Sequence, residues 1–221
     1  MPYRRTENVR RRLAAREHAI LAAALALAGE EGMHAVQIAA VAKRANIAAG
    51  TVYRYFPAKT DLIAELITAV STREMAAMRA AADAAPGPLS ALAACIATFA
   101  ARAYATRRLS WAVLAEPADG EIDAMRLDFR QAIAAEFEAR IRIARARQLL
   151  PEQDERVAAP AVLGALLEGL LGPLAPVYDD AGAAREAVQG MTLMALRALG
   201  VIDARARGLV AQVPLPSSSS R

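Results

Sequence analysis

Hydrogen-bond donors of the kind that nucleic acids accept recur within one short segment of the chain. The hydroxyls of Tyr53 and Tyr55 and the ammonium of Lys59 are suited to phosphate oxygens. Gln37 and Arg54 have the reach and the hydrogen-bonding geometry to recognise adenine or guanine. The segment is therefore a candidate for binding DNA.

Two short helices joined by a tight turn are predicted to position these side chains. Ile38 and Val41 recur at helical spacing, which gives the first helix an apolar face. Asn46 suits the turn because its short polar side chain tolerates a left-handed backbone. Residues 50–56 form the second helix, which Pro57 closes. This order predicts a helix-turn-helix.

The same segment resembles the DNA-binding module of the tetracycline-repressor (TetR) family of bacterial transcription regulators. The family's pattern is Ile-Ala, two residues, Ala-Gly-Val-Ser, one residue, Gly-Thr-Leu-Tyr, then an aromatic pair and Lys. Asn46 stands where Gly is usual, and Ala48 stands where a capping Ser is usual. Replacing a capping Ser by Ala costs about 0.5–2 kcal/mol, so the second helix should begin weakly. The matching residues are Val41-Ala42, Ala45-Asn46-Ile47-Ala48, Gly50-Thr51-Val52-Tyr53, Tyr55-Phe56 and Lys59.

The resemblance implies that the second helix enters the major groove of DNA. It makes Tyr53, Tyr55 and Lys59 contacts to the phosphate backbone and places Thr51 near base edges. Core packing is the alternative role for Tyr53 and the expected role for Phe56. The predicted DNA-contacting residues are Gln37, Ala48, Ala49, Thr51, Tyr53, Arg54, Tyr55 and Lys59.

Composition predicts an all-α protein with an uneven charge. Of the 221 residues, 56% are hydrophobic, largely Ala and Leu, which are strong helix formers. Residues 1–60 carry ten basic and four acidic residues, a net charge of +6, whereas the rest of the chain has a net charge of −2. Positive charge is thus concentrated at the helix-turn-helix, as binding to a polyanion requires.

The sequence divides into four expected segments. Residues 1–12 form a flexible basic arm, which either reaches DNA or serves as a solubilising tail. Residues 13–58 form a three-helix DNA-binding domain, residues 59–203 form a larger helical domain for ligand binding and dimerisation, and residues 204–221 form a disordered tail. Pro86-Gly87-Pro88 is the clearest break between helices.

Family resemblance implies a small-molecule pocket among the helices of residues 60–178. Tyr104, Glu116 or Tyr178 could orient a polar group of the ligand there. An apolar, adaptable lining would come from side chains that an ordinary core would also contain. The predicted lining residues are Met75, Met78, Cys95, Phe99, Trp111, Leu114, Phe129 and Ile133.

The last helical pair has more apolar residues than one buried face needs. In the family, dimers form through the last two large helices as a four-helix bundle. A monomeric core wrapped by the other helices is the alternative explanation. The predicted interface residues are Leu163, Leu166, Leu167, Leu170, Val188, Met191 and Met194.

Other classes of function have little support. The sequence lacks H-E-x-x-H, G-x-S-x-G, a phosphate-binding Gly-rich loop and a Cys/His cluster, so no enzymatic activity, cofactor or metal is expected. With one cysteine, Cys95, and no secretory signal or membrane span predicted, a cytoplasmic protein without a membrane partner is expected.

The function expected from the segment, the charge and the resemblance is a ligand-responsive transcriptional regulator. We expect a homodimeric repressor that leaves a pseudo-palindromic DNA operator when a small, largely apolar molecule binds. A helical adaptor that binds protein and never DNA is the alternative, and the uneven charge argues against it.

Overall fold

The computed structural model describes residues 3–117, 120–178 and 180–213, and within these ranges it contains helices and no strands. The predicted all-α fold, with a helix-turn-helix ahead of a larger helical part, is confirmed. A 3-10 turn lies at Met33–Ala35 and a π-helical turn at Leu167–Leu171. The α-helices are α1 (Tyr3–Glu30), α2 (Ile38–Arg44), α3 (Ala49–Tyr55), α4 (Lys59–Asp83), α5 (Pro88–Ala105), α6 (Arg107–Leu114), α7 (Gly120–Ala146), α8 (Glu155–Leu166), α9 (Ala181–Ala198) and α10 (Asp203–Gln212).

The first three helices form a module around an apolar centre. Ile20 of α1, Val41 of α2 and Val52 of α3 are fully buried, and Phe56, just after α3, is 5% exposed. Helices α2 and α3 have only seven residues each, a length that is not stable in isolation. Packing of α2 against α1, and of α3 against α2, therefore holds both helices in place. The prediction that Phe56 belongs to the core is confirmed.

The turn between α2 and α3 has the predicted backbone. Asn46 has φ of +52°, in the left-handed region, and the Ile47 N–H donates to the Ala42 carbonyl oxygen at 3.0 Å. Neither N-cap residue, Gln37 for α2 or Ala48 for α3, accepts a hydrogen bond through its side chain. The predicted absence of a cap at Ala48 is confirmed, and α2 lacks a side-chain cap as well.

The predicted flexible arm is wrong over the residues that the structure describes. Helix α1 begins at Tyr3 rather than at Leu13, so residues 3–12 continue the helix. The dense positive charge of this stretch predicts a flexible arm, but arginine is also a good helix former. Met1 and Pro2 lie outside the described residues.

The predicted disordered tail is also wrong where it can be compared with the structure. Residues 203–212 form α10, in which Ala206 is fully buried and Leu209 and Val210 are buried to nine-tenths or more. These three apolar residues lie on one face of the helix, which packs against α5 and α9. Residues 214–221 lie outside the described residues.

The remaining helices surround α5. This helix packs against α4, α7 and α9, and every residue from Ala91 to Ala100 is buried. By length and composition alone α5 could cross a membrane, but 67% of it is buried inside the chain, as in the core helix of a helical domain. The predicted break at Pro86-Gly87-Pro88 separates α4 from α5.

Candidate nucleic-acid interface

Helix α3 turns its apolar face inward and its polar face toward solvent. Val52 anchors the helix in the core, whereas Arg54 is exposed and Tyr53 is 52% exposed. Core packing, the alternative role for Tyr53, is therefore excluded. The remaining predicted contact residues are also accessible: Gln37, Ala48 and Ala49 are exposed, and Thr51, Tyr55 and Lys59 are half-buried.

The segment of the chain that contains α2 and α3 carries basic residues and no acidic ones. Between Gly32 and Thr60 the chain contains no Asp or Glu, and it carries two lysines and two arginines. Arg44 is paired with Glu30 at the end of α1, at 2.5 Å between Nη1 and Oε2, and this hydrogen bond lowers the pKa of Glu30. Arg54 remains on the exposed side of α3, where it can approach a polyanion.

Two of the candidate base-reading side chains have neighbours inside the protein. The Gln37 Nε2 donates to the His34 carbonyl oxygen at 2.9 Å. The Arg54 guanidinium lies 5.7 Å from the centre of the Tyr55 ring, at cation–π distance. Both contacts restrict the side chains before any DNA is present, which reduces the entropy lost on binding.

Two side chains, one in α6 and one just after it, form hydrogen bonds with the turn that follows α1. Glu116, just beyond α6, accepts a hydrogen bond from the Met33 N–H at 3.0 Å. Arg108 lies 3.2 Å from the Glu116 carboxylate and donates to the Glu31 carbonyl oxygen at 2.5 Å. We call these contacts the α6 clasp, defined by Arg108, Glu116 and the backbone of residues 31–33. The clasp joins the helix-turn-helix module to the larger helical part.

The α6 clasp assigns Glu116 a role other than orienting a ligand. Burial acts to raise the pKa of its carboxyl, but the Met33 N–H and the Arg108 guanidinium outweigh this and hold the pKa below the ordinary 4.5. The carboxylate is therefore committed to charge-assisted bonds with the turn and with Arg108. Its suggested part in a ligand pocket is not supported.

A buried arginine fixes the end of α6 from the side of α7. Arg126 is 1% exposed, and its guanidinium donates to the carbonyl oxygens of Ala112, at 2.6 Å, and of Glu116. It also pairs with Asp123 at 3.2 Å, while burial lowers its pKa. Sequence reasoning missed this residue, although it lies in the apolar stripe of α7 four residues after Ile122, where a charged side chain is a detectable exception.

Arg107, next to Arg108 in the first turn of α6, holds a different part of the chain. Its guanidinium donates to the carbonyl oxygens of Gly172, Ala175 and Pro176 at 3.0–3.1 Å, with a longer bond to Leu171. These carbonyls follow the π-helical turn, where the helix has ended and backbone acceptors need partners. Nothing in the sequence alone pairs Arg107 with this loop.

The predicted ligand-lining residues belong to one continuous core. Seven of the eight are buried, and Trp111 is half-buried against the same cluster. Phe99 packs edge-to-face on Phe137, with ring centres 6.0 Å apart. Burial raises the pKa of Cys95 to about 12, which keeps this thiol protonated and inert. A role in binding ligand stays a prediction for these residues.

Most of the predicted interface residues pack inside a single chain. Leu163, Leu166, Leu167, Leu170 and Val188 are all 7% exposed or less. The structure therefore corrects their role: they have almost no surface to offer a partner, because α8, the π-helical turn and α9 pack them against α5, α6 and α7. Met191 and Met194 are half-buried and remain accessible.

Helices α2 and α3, joined by the tight turn at Asn46 and packed with α1 in a three-helix module, define the helix-turn-helix class. Residues 20–66 match the family model described as "Bacterial regulatory proteins, tetR family". This match, which covers the helix-turn-helix module, confirms the resemblance inferred from its motif.

Two curated relatives are similar over the same region. The HTH-type transcriptional repressor KstR of Rhodococcus jostii is 56% identical over 48 residues, which are 22% of this chain and 23% of that protein. The KstR of Mycolicibacterium smegmatis is 54% identical over 48 residues, which are 22% and 24% of the two chains. The matched region thus spans about a quarter of the length of these relatives.

Solved structures resemble the chain over nearly its whole length. RolR in complex with resorcinol has a TM-score of 0.65 at 20% identity and covers 95% of this chain and 99% of its own. FadR of Bacillus subtilis in complex with stearoyl-CoA has a TM-score of 0.69 at 18% identity and covers 84% and 98%. At such identities the likeness concerns the fold.

Proposed function

We propose that this chain is a ligand-responsive transcriptional repressor that binds a pseudo-palindromic DNA operator as a cytoplasmic homodimer. The observation that carries the proposal is the exposed polar face of α3, with Val52 buried beneath it and no acidic residue between Gly32 and Thr60. The KstR relatives, which are similar over this module, are transcriptional repressors.

In the proposed complex α3 lies in the major groove. Arg54 and Gln37 recognise base edges, with Thr51 beside them, and the methyl groups of Ala48 and Ala49 can contact thymine. Tyr53, Tyr55 and Lys59 bind phosphates, which fixes the register of the helix without specifying sequence. Gln37 exchanges its hydrogen bond to His34 for one to a base.

The proposed dimer uses the outer face of α8 and α9. Val157 is 66% exposed, and Ala161, Gly164 and Gly190 are exposed as well. Small and apolar side chains on an outer face allow close approach of a second helix pair. Two modules related by a two-fold axis would then reach half-sites about 34 Å apart.

The dimer proposal has its own test. Ala161→Arg places a charge in the centre of the proposed face and should convert the dimer to a monomer, measured by light scattering after gel filtration. Ala135→Arg, the same change at an exposed position of α7, should leave the mass unchanged. A wild-type chain that is monomeric at all concentrations would contradict the proposed dimer.

The proposed response to ligand is a shift between two conformations. A ligand that prefers the conformation with wrongly spaced α3 helices lowers DNA affinity by its differential binding to the two states. Helix α4 and the α6 clasp are the connections that would carry the change, since α4 runs without a break from Lys59 to Asp83.

DNA binding is tested by fluorescence anisotropy with the promoter beside the protein's own gene, against a shuffled duplex of equal composition. We expect tighter binding to the promoter, with an affinity that falls steeply as salt rises. Arg54→Ala should reduce the preference for the promoter. Failure to bind either duplex in dilute salt would favour the adaptor without DNA binding.

A further inference from the structure

A cavity of about 210 Å³ lies where the end of α4, the first half of α5 and the end of α10 meet. Its walls are largely alanine, including Ala81 and Ala84 of α4 and Ala94 of α5. Leu209 of α10 covers it from the third side. Such short side chains do not fill the space between three helices, and a cleft remains there that is open on the side of the exposed residues Ala84, Pro86 and Gln212. None of the predicted ligand-lining residues contributes to it.

A buried residue presents a hydroxyl to this cavity that has no partner within the described part of the chain. Thr98 of α5 lines the cavity and is 9% exposed, and no residue in the described part of the chain makes a hydrogen bond to its side chain. By contrast, Thr192 of α9 is fully buried and donates to the Val188 carbonyl oxygen at 2.8 Å. The Thr98 hydroxyl opens to the cavity and is therefore available to donate to, or accept from, a polar group of a ligand.

The chemistry of the lining indicates a neutral ligand. Among the described residues that line the cavity none is charged, and the polar groups are the hydroxyls of Ser90 and Thr98 and the amide of Gln212. A charged molecule would lose its hydration here without gaining a counter-ion. An apolar molecule with one hydroxyl or carbonyl group would satisfy Thr98 and cover the alanine walls.

The volume limits the size of this ligand. A dry apolar cavity of about 150 Å³ holds benzene. A space of about 210 Å³ therefore admits a single substituted ring or a short branched chain.

We infer that this cavity is a binding site for a small neutral molecule with an apolar body and one hydrogen-bonding group, which pairs with the Thr98 hydroxyl. The inference deepens the proposed function, because it places the small-molecule site at the far end of α4 from the helix-turn-helix. The observations that support the site are the cavity and the Thr98 hydroxyl, and the experiment that tests it uses no DNA.

The test measures binding of phenol to the full-length protein by isothermal titration, at concentrations that leave the helical circular dichroism unchanged. Phenol should bind saturably, and benzene, which lacks the hydroxyl, should bind more weakly. Thr98→Val should weaken phenol about 2- to 10-fold and leave benzene unchanged, because it removes one hydrogen bond and keeps the shape. Thr192→Val is the matched control and should leave both affinities unchanged.

A second variant tests the cavity independently of the hydroxyl. Ala81→Leu fills the space from the half-buried side of α4 and should abolish binding of phenol and benzene alike. Binding of phenol with the same affinity to wild type, Thr98→Val and Ala81→Leu would overturn the inference, as would the absence of saturable binding to wild type. Neither result would affect the anisotropy measurement of promoter binding, so failure of this site and failure of the repressor proposal are distinguishable.

Discussion

The guanidinium of Arg108 occupies the space in which a side chain on Gly32 would lie. Gly32 has φ of +106°, and a Cβ built there would meet the Arg108 guanidinium. The backbone conformation therefore requires glycine at this position, and a side chain there would also displace Arg108. It lies in the middle of the α6 clasp, between the Glu31 carbonyl and the Met33 N–H.

Gly32→Ala should lower the free energy of unfolding by about 1–3 kcal/mol, because the backbone would be strained and Arg108 displaced. Chemical denaturation followed by circular dichroism measures this change. Gly208→Ala is the matched control: Gly208 lies within α10 with open space around its Cα, so alanine there should stabilise by about 0.5–1 kcal/mol. Equal effects of the two variants would contradict the proposed contact.

The carboxylate of Glu116 predicts a pH dependence. Because its pKa is lowered in the folded protein, its contribution to stability is present above about pH 4.5 and is lost as the pH falls through the folded-state pKa. Glu116→Gln should therefore destabilise by about 1 kcal/mol at pH 7 and by less near pH 3. Thermal unfolding from pH 3 to pH 7 gives the comparison.

The control for this pH series is Glu65→Gln, at an exposed position inside α4. It should leave the unfolding temperature unchanged relative to wild type across the same range. A constant difference between Glu116→Gln and wild type at all pH values would show that the charge of Glu116 is not involved.

The uncapped start of α3 offers a stabilising substitution. Ala48 has φ of −71° and ψ of 143°, the extended backbone of an N-cap residue, but it has no acceptor in its side chain. Ala48→Ser should raise the free energy of unfolding by about 0.5–2 kcal/mol. Ala49→Ser, one position inside the helix, should not stabilise, and a gain at that position of equal size would rule out capping as the cause.

Phosphate contacts predict a loss of affinity that does not depend on sequence. Tyr53→Phe combined with Lys59→Ala should weaken binding to promoter and shuffled DNA nearly equally, because these groups would contact the backbone. The slope of log affinity against log salt should fall by about 1 for the lost lysine. Anisotropy titrations at several salt concentrations measure both effects.

Arg147→Ala removes a charge from an exposed position just after α7 and serves as the control for these titrations. It should leave both affinity and salt slope close to wild type. A change of sequence preference in the Tyr53 and Lys59 double variant would contradict their assignment to phosphates.

Local signals in the sequence were sufficient to predict the helix-turn-helix and its turn. Asn46 marked the left-handed turn, Ala48 marked the missing cap, and Pro86-Gly87-Pro88 marked the end of α4. Each of these features depends on the backbone preferences of a few neighbouring residues. Helix α10 also carried a local signal in Ala206, Leu209 and Val210, which the Ser-rich residues after it obscured.

Contacts between distant parts of the chain were not predictable in this way. Leu163 and Leu166 carried the right periodicity for a buried face, but periodicity does not identify the helix that covers it. The hydrogen bond from Met33 to Glu116 joins residues 83 positions apart, and no spacing rule connects them. The same holds for the unpartnered hydroxyl of Thr98, which is visible only once α10 is in place.

Arg107 and Arg108 stand side by side yet bind opposite neighbours, the loop of residues 171–176 and the turn of residues 31–33. The first turn of α6 cannot rotate without stretching the hydrogen bonds of either Arg107 or Arg108. If a second subunit or a bound molecule displaces that loop, either the hydrogen bonds of Arg107 must break or the displacement must pass through Arg108 to the turn of residues 31–33 in the helix-turn-helix module.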